Sequence, residues 1–441
     1  MDNERLKLAY FSCLSPLKSG ISDYSEKELL PYLAKYADID IYIDNGYKPS
    51  NKDIIDKFNI FNYGKIASKI NQYDAIIYHM GNNPFHIYVY ETLMRYNGIV
   101  VYHDIFLHGL IWNMTVGKGS KSRYIEEFKY CYGDRGKLVA EDALKSGSYP
   151  EFEYPLLKRM LDKSSGVIVH SMFGKNTILK EKKDVNIVKI DQAIVVHKDL
   201  DKELTRKKLG IDNEEIVVAT FGYIYPHKRI HKAITAFARF NKKFPRSKYF
   251  LVGERSCDCT DLDRLIEKLG VKRSVIFTKF IPFEEAMEYI SASDICINLR
   301  YPTAGETSNS TLRMLSMRKP VMVSNIGWFS ELPDSCCIKI DVDKYEEDSI
   351  FESLNVLASN EKLRTKMGEN AREYILKECD PDKIAKEYCN FISNIKERRQ
   401  YTSLVKEISY DMADIGIKET DDLIIRDVAV TLKELDMVSI L

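Results

Sequence analysis

A cluster of small polar residues follows an apolar run near residue 300. The stretch LRYPTAGETSNSTLRML (299–315) places Thr307, Ser308, Asn309 and Ser310 ahead of a helix-like segment. A helix that begins there would direct unpaired backbone N–H groups and the positive end of its dipole at an anion, and small side chains would let a phosphate approach closely. Simple capping of the helix needs one such residue rather than a cluster. The stretch therefore predicts a site for the phosphates of a nucleotide.

Two charged residues flank this cluster. Glu306 and Arg313 are seven residues apart, which is close to two helical turns. Both would face one cleft if the helix extends back to Glu306. The alternative is an ion-pair network on the protein surface.

A second phosphate-binding candidate is FGYIYPHKR (221–229). An apolar run ends at Phe221, Gly222 permits a sharp turn, and Lys228 stands near the beginning of the next helix-like segment. Ligands bind at the carboxyl ends of strands in open α/β sheets, and a lysine there meets a diphosphate as a mobile point charge. The alternative is a solvated lysine at the beginning of a helix.

Alternating apolar runs and amphipathic segments place these candidates in a fold. β-Branched runs bounded by Gly, Asp and Asn are typical of strands in a buried parallel sheet. The order of strand and helix, repeated twice, predicts two doubly wound α/β domains with a boundary near residue 195. The predicted strands lie at 7–13, 38–44, 73–81, 98–104, 166–171 and 185–190 in the first domain, and at 216–222, 248–254, 274–280, 294–300, 319–324 and 336–341 in the second.

Composition limits the classes of protein that need to be considered. The 441 residues are 45% hydrophobic and 29% charged, which is ordinary for a globular protein of two or three domains. The formal net charge is zero, which gives no support to nucleic-acid binding. The sequence shows no secretory signal and no apolar stretch of spanning length, and its nine cysteines have no framework spacing. We therefore expect reduced cysteines and a cytoplasmic location.

Taken together, the motifs resemble a known family. FGYIYPHKR, FLVGE, IPFEEAMEYISASDICINLR and PTAGETSNSTLRMLSMRKPVMVSNIGWFSELP are similar to the donor-nucleotide domain of the family-4 retaining glycosyltransferases, which have the GT-B architecture of two Rossmann-like domains. SCLSPLKSGISDYSEKELLPYL, HMGNNPFHIYVYETLMRYNGIVVYHDIFLHGL and VIVHSMFGKNTI resemble the first loop and acceptor-domain segments of members that assemble bacterial polysaccharides. The resemblance covers roughly residues 5–395.

The resemblance implies a domain plan. Residues 1–195 would form the acceptor domain, residues 196–378 the donor-nucleotide domain, and residues 379–441 a helical extension. Within this extension, residues 379–395 would cross back to the first domain as a long helix. The sequence leaves three alternatives for the amphipathic remainder, 399–441: it packs against the two domains, it pairs with a second chain, or it contacts a membrane.

The resemblance also assigns residues, with departures from the family pattern. Lys228 matches the lysine that contacts the donor pyrophosphate, whereas Tyr223 stands where many members have an arginine, so that Arg229 is an alternative second cation. In the family's Glu-x7-Glu motif, Gly305 and Arg313 occupy the glutamate positions. We take the neighbouring Glu306 as a contact to the donor.

The complete set of predicted site residues spans both domains. His103 and Asp104 follow the run GIVVY, and the histidine resembles one that some members place beside the transferred sugar, although a structural role is the alternative for each strand-end histidine. The predicted catalytic residues are His103, Lys228 and Glu306; the donor-binding residues are Gly20, Gly222, Tyr223, Arg229, Gly305, Thr307, Ser308, Asn309, Ser310 and Arg313; the acceptor-side residues are Lys18, Asp104 and His170. No His or Cys spacing predicts a metal site, so we expect no metal and no cofactor beyond a nucleotide-diphosphate sugar as co-substrate.

The implied function is transfer of a sugar from a nucleotide-diphosphate sugar to a glycan or lipid-linked acceptor, with retention of configuration and without a metal ion. Two alternatives stay open: a catalytically silent sugar-nucleotide-binding subunit of a glycosyltransferase complex, which the altered glutamate motif favours, and a sugar-nucleotide epimerase. Contact of the basic loop at 117–122 with the inner face of a membrane is a further open alternative, as is the oligomeric state.

Overall fold

Two fully parallel sheets form the framework of the protein. The computed structural model describes residues 5–414, 417 and 421–434. The seven strands of the first sheet lie in the order β3-β2-β1-β4-β5-β6-β7, and all their pairings are parallel. These strands are β1 (Leu6–Phe11), β2 (Ala37–Ile43), β3 (Asn59–Asn62), β4 (Ala75–Met80), β5 (Gly98–Tyr102), β6 (Ser164–Val169) and β7 (Ile187–Lys189).

The second sheet repeats this design with six strands. Their order is β10-β9-β8-β11-β12-β13, again with parallel pairings. In both sheets the strand order reverses next to the first strand of the domain, which makes each a doubly wound sheet. The strands are β8 (Ile216–Phe221), β9 (Ser247–Val252), β10 (Val275–Lys279), β11 (Ile295–Asn298), β12 (Val321–Ser324) and β13 (Cys337–Ile340).

Helices cover both faces of each sheet. Strand β4 illustrates the pattern, since Ile76 and Tyr78 pack into the core on one face and Ile77 packs into the core on the other. The helices are α1 (Gly20–Asp23), α2 (Leu30–Leu33), α3 (Lys52–Lys57), α4 (Ile66–Lys69), α5 (Ile87–Leu93), α6 (His108–Met114), α7 (Lys121–Ser146), α8 (Lys158–Leu161), α9 (Met172–Glu181), α10 (Lys202–Leu209), α11 (Ile230–Lys243), α12 (Leu262–Leu269), α13 (Phe283–Ala292), α14 (Asn309–Ser316), α15 (Glu346–Ser359), α16 (Glu361–Glu378), α17 (Pro381–Asp414) and α18 (Asp422–Glu434).

The sequence prediction of two doubly wound α/β domains is confirmed, and each of the twelve predicted strands is present. The prediction missed β3, an edge strand of sequence NIFN whose residues are exposed or half-buried. A short polar edge strand carries no apolar run, so its pattern resembles that of a loop. The domain boundaries at 195 and 378 stay a prediction.

The helical segment that follows β1, from Gly20 to Leu33, is continuous but contains wider turns. A π-helical segment, Tyr24–Leu29, joins α1 to α2, and Pro31 lies in the first turn of α2. Proline has no N–H to donate to the preceding turn, and a wider turn accommodates this loss without ending the helix.

Helix α17 connects the end of the second domain to the first. The buried side chains of Ile384, Tyr388 and Ile392 pack in the same core as β1 and β2. Asp382 accepts hydrogen bonds from Lys35 Nζ at 2.9 Å and from the Tyr36 hydroxyl at 2.8 Å. The segment predicted to return to the first domain, 379–395, therefore lies mostly within this helix.

Parts of the tail for which the sequence left three roles open (415–416, 418–420 and 435–441) lie outside the described residues. Among the helices that the structure describes, none combines the length and the apolar character needed to cross a bilayer.

Removal of apolar contact between α17 and the first domain should destabilise the protein. Ile392 is fully buried, so we expect Ile392→Ala to lower the free energy of unfolding by about 2–5 kcal/mol. Leu376 on α16 is 55% exposed, and Leu376→Ala should change it by only about 0.5 kcal/mol. Equal effects of the two substitutions in urea unfolding would show that α17 is not part of this core.

Candidate functional site

The candidate site lies where the carboxyl edges of the two sheets face each other. In the first sheet the strand order reverses between β1 and β4, and in the second between β8 and β11. Such reversal points open the crevice in which doubly wound proteins bind ligands. The predicted residues lie in the segments that come after strands at these edges: Gly20 after β1, His103 after β5, Lys228 after β8, and the polar cluster after β11.

The polar cluster forms the N-terminus of α14. Ser308 is the capping residue and accepts a hydrogen bond from the backbone N–H of Thr311 at 3.3 Å. Asn298, at the end of β11, donates from Nδ2 to the hydroxyls of Ser308, Ser310 and Thr311 at 3.0, 2.9 and 2.7 Å. Sequence reasoning missed Asn298. Its signal was an amide inside the apolar run ICINL, because a buried amide requires polar partners.

Helix α14 begins at Asn309, so it does not extend back to Glu306. The expectation that Glu306 and Arg313 share a helix face is wrong. The Arg313 guanidinium instead forms a buried ion pair with Glu28 of the first domain and donates from Nη1 to the carbonyl of Val195 at 2.8 Å. Burial lowers the pKa of Arg313 to about 10. Arg313 therefore joins the two domains.

Lys228 is almost completely buried at the end of a short 3₁₀ turn, Pro226–Lys228. Its Nζ donates to the carbonyl of Phe221 at 3.0 Å. Gly222 has φ +100°, and a Cβ atom there would stand 2.9 Å from this Nζ, so the turn needs glycine on both counts. Burial, together with the nearby positive charge of Arg300, holds the pKa of Lys228 well below its usual value.

Arg300 is a site residue that sequence reasoning missed. It lies two residues beyond β11, and its side chain is 8% exposed. Its Nε is 2.8 Å from Oε1 of Glu306, whose Oε2 accepts a hydrogen bond from the Thr303 hydroxyl at 2.8 Å. The available signal was a cation at the end of an apolar strand, the same signal that identified Lys228.

Two other predicted donor residues have partners within the protein. Arg229 forms a two-pronged ion pair with Glu346, a side chain that is almost fully buried on α15. The Tyr223 hydroxyl donates to Oε2 of Glu254 at 2.9 Å, and its ring stacks on Tyr225. Among the described residues, no side-chain hydrogen bond or ion pair joins Arg229 or Tyr223 to Lys228.

The first domain contributes a cluster of buried histidines. His79 Nδ1 and His103 Nε2 are 2.9 Å apart, and the rings of His103 and His170 lie 5.1 Å apart. His170 donates from Nδ1 to the carbonyl of Ile190 at 2.9 Å. Burial lowers the pKa of His170 to about 4 and that of His103 well below its usual value. These imidazoles are therefore neutral at pH 7 and act as hydrogen-bonding groups rather than cations.

Asp104 faces the second domain from the end of β5. Its Oδ2 accepts a hydrogen bond from the backbone N–H of Asn82 at 2.8 Å. Burial, with the negative charge of Glu306 across the cleft, raises the pKa of Asp104 to about 7. The carboxyl group thus changes charge near neutral pH.

Backbone contacts hold the two edges together. The N–H groups of Ile105 and Phe106 both donate to the carbonyl of Ala304, at 2.7 and 2.9 Å. Gly305 has φ +78°, and a Cβ atom there would stand 2.7 Å from Cβ of Ile105. Thr307 donates to the carbonyl of His170 at 3.4 Å. The loop before α14 therefore rests directly on the first domain, next to His103 and Asp104.

Further contacts connect the domains at the sides of the cleft. Glu331 accepts hydrogen bonds from the backbone N–H groups of Met172 and Phe173 at 2.9 and 2.6 Å. Lys18 lies over the ring of Phe280, and its Nζ is 3.9 Å from Glu254. Gly20 borders open space, since a Cβ atom there would meet no atom within 4 Å.

The structure thus gathers Lys228, Glu306, Gly305 and the α14 N-terminus on one side of the cleft, with His103, Asp104 and His170 opposite. In the described part of the chain, no three His, Cys, Asp or Glu side chains are arranged to hold a metal ion.

Two facing Rossmann-like domains with their carboxyl edges toward a shared cleft define the GT-B fold of glycosyltransferases. Residues 201–374 match the family Glycosyl transferases group 1, so the second domain is a glycosyltransferase group 1 domain.

Known proteins are similar to this chain in sequence or in fold. The uncharacterized glycosyltransferase MJ1069 of Methanocaldococcus jannaschii is 26% identical over 243 residues, which are 52% of this chain and 59% of that protein. The sucrose-phosphate synthase of Thermosynechococcus elongatus has a TM-score of 0.63 at 15% identity, covering 90% of this chain and 100% of that chain. Anabaena Alr3699/HepE, solved in complex with UDP and glucose, has a TM-score of 0.61 at 16% identity, covering 88% and 100%.

The sequence matches extend over only part of the relatives. This chain spans between 45% and 59% of the length of four curated relatives, MJ1069 among them. The structural neighbours are matched over the whole of their chains, and at 15–16% identity they establish the fold.

The Glu28–Arg313 pair should be essential for stability. Arg313→Ala leaves the buried Glu28 carboxylate without its cation, so we expect a loss of about 3–5 kcal/mol in the free energy of unfolding. Arg318→Ala removes an exposed partner of Asp199 and should cost about 1 kcal/mol or less. Similar urea midpoints for the two variants would contradict this role for Arg313.

Asp104 should make stability depend on pH. A carboxyl whose pKa is raised in the folded state stabilises the protein fully below its unfolded pKa, near 4, and this stabilisation is lost as the pH rises through about 7. Asp104→Asn keeps an acceptor for Asn82 and removes the titration. The melting temperature of Asp104→Asn, relative to wild type, should therefore rise between pH 5 and pH 8. Parallel curves for the two proteins would refute the assignment.

Proposed function

We propose that this protein transfers a sugar from a nucleotide-diphosphate sugar to a hydroxyl of a glycan or lipid-linked acceptor, with retention of configuration. The observation that carries the proposal is Lys228, a buried cation at the end of β8 whose described protein partner is one carbonyl oxygen. Burial disfavours the charged form of this lysine and a bound anion would restore it, so the position favours an anionic ligand. The glycosyltransferase group 1 match of the same domain supports a nucleotide diphosphate as that anion.

The proposed catalysis is electrostatic. When the bond between the sugar and the diphosphate breaks, negative charge grows on the leaving diphosphate. Lys228 and the N–H groups at the beginning of α14 are fixed donors on the side of the cleft where this charge would develop. Donors that are already oriented in a site shielded from water lower the barrier without reorganisation.

The remaining roles are assigned by position across the cleft. His103 is neutral, and no described residue bonds its Nδ1, so this nitrogen can serve a sugar hydroxyl. Each carboxylate oxygen of Glu306 has one protein partner and keeps a lone pair for the donor. Asp104, His170 and Lys18 would line the acceptor side. Retention of configuration is proposed from the resemblance to the family-4 enzymes.

The contacts across the cleft support a closed arrangement during transfer. The Ala304 carbonyl and the Glu331 carboxylate each accept two backbone N–H groups of the first domain. Closure of this kind excludes the water that would otherwise hydrolyse the donor. The proposal needs no resident cofactor, because the nucleotide sugar enters and leaves as a co-substrate.

A panel of nucleotide sugars tests the reaction class. The protein is incubated with UDP-, GDP- and ADP-sugars, with and without glycan and lipid-linked acceptors, and the released diphosphate is measured. The complex of Anabaena HepE with UDP and glucose puts UDP-glucose first in this panel. Release that depends on an acceptor supports the proposal. Binding without turnover would favour a silent subunit, and conversion of the sugar without an acceptor would favour an epimerase.

Substitution of Lys228 should abolish donor use while the protein stays folded. Lys228→Met keeps the length of the side chain and removes the charge, so we expect diphosphate release to fall about 100-fold or more. The control is Lys232→Met on α11, which removes a half-buried lysine paired with Glu347 and should leave the rate unchanged. Equal rates for wild type and Lys228→Met would remove the lysine from the site.

A further inference from the structure

The donor side of the cleft brings two buried basic side chains together. Lys228 and Arg300 are both buried there. Glu306 lies near both side chains, and Asp104 across the cleft also interacts electrostatically with Arg300. Burial of a charge without a counter-charge is strongly unfavourable. An anion bound between the two side chains would favour their charged forms.

Both cations also have hydrogen-bond donors without acceptors. The Lys228 ammonium has three N–H donors, and one is accepted, by the Phe221 carbonyl. The Arg300 Nε–H is near Glu306 but is not aimed at it, so it is buried without a well-formed hydrogen bond. No described residue accepts a hydrogen bond from Nη1 or Nη2 of Arg300. The Arg300 terminal nitrogens and two of the Lys228 N–H donors thus have no described protein acceptor and can bind a ligand that supplies oxygens.

The backbone places the two cations side by side. Strands β8 and β11 are hydrogen-bonded neighbours, with Cys296 opposite Ala219. Beyond the strands, the N–H of Tyr301 donates to the carbonyl of His227 at 2.8 Å, which ties the Arg300 loop to the Lys228 loop. Arg300 and Lys228 therefore flank the same point of the sheet edge, immediately beside the beginning of α14.

The other arginines near the cleft are occupied by carboxylates. Arg229 is paired with Glu346, and Arg313 is paired with Glu28 and the Val195 carbonyl. Withdrawing either of them would leave a buried carboxylate without its cation. Arg300 differs because Glu306 approaches its guanidinium at Nε, and no described residue accepts a hydrogen bond from its terminal nitrogens.

We propose that Arg300 is the second diphosphate-binding residue of this protein, with its Nη1 and Nη2 groups bonded to one phosphate while Lys228 meets the other. The inference rests on the proposed function, because it identifies how that site holds its donor. The planar guanidinium fork matches two phosphate oxygens at once, whereas the ammonium group acts as a point charge. Glu306 fixes the orientation of the fork from the opposite edge.

Calorimetric titration with UDP, GDP, ADP and uridine tests the proposal. For the nucleoside diphosphate that the wild type binds, Arg300→Gln should lose about 10-fold or more in affinity, which is typical for a lost charge-assisted hydrogen bond. Arg300→Lys restores the charge but not the fork, so its affinity should lie between the two. Affinity for uridine, which carries no phosphate, should be the same in all three proteins.

Arg239→Gln is the matched control, because Arg239 is an exposed arginine of the same domain paired with Asp348. It should bind the diphosphate as the wild type does. A protein that binds a diphosphate equally well with and without Arg300 would overturn this inference alone and leave the proposed function standing. Failure of the wild type to bind any of the three diphosphates would overturn both. Should Arg300→Gln not fold, Arg300→Lys decides, since wild-type affinity in that variant would exclude the bidentate contact.

Discussion

The burial of positive charge at the edge of the second sheet is the constraint on which the site depends. Lys228 and Arg300 lie in an environment from which water is largely excluded, with Glu306 as their nearby counter-charge. Such an arrangement is unfavourable by itself and persists because the surrounding structure fixes it. Gly222 allows the turn that brings Lys228 back over β8, and the bond between Tyr301 and His227 keeps the two loops together. The fold thus holds two buried basic side chains together, and an anionic ligand would stabilise their charged forms.

The first domain completes this environment. The Ala304 carbonyl accepts two N–H groups from the opposite edge, and Gly305 lets the loop approach Ile105 closely enough to exclude water. The buried histidines facing the loop are neutral because burial disfavours their charged form, so they add polar groups without adding to the positive charge. Asp104 is the side chain whose charge changes near neutrality, and it faces Glu306 across the cleft. The cleft is therefore basic on the donor side and close to neutral on the acceptor side.

Much of the fold and part of the site could be predicted from the sequence. Twelve strands were identified because buried parallel strands are uninterrupted apolar runs, whereas β3 was missed because an edge strand needs no such run. Lys228 was identified because it follows a strand and a glycine. Asn298 is the last residue of β11 and Arg300 lies two residues beyond it, but the sequence does not reveal whether the donors of a strand-end amide or cation find partners.

The sequence by itself determined the order of the elements and the chemistry available at the strand ends, because both follow from local periodicity and residue type. Only the tertiary structure decided which cations are free. The sequence alone does not distinguish Arg229, Arg300 and Arg313. In the structure Glu346 binds Arg229 and Glu28 binds Arg313. The terminal nitrogens of Arg300 have no described protein partner. The carboxylates responsible lie 117 and 285 residues away from their arginines in the chain. Pairing over such separations is set by the packing of whole domains, and no local pattern records it.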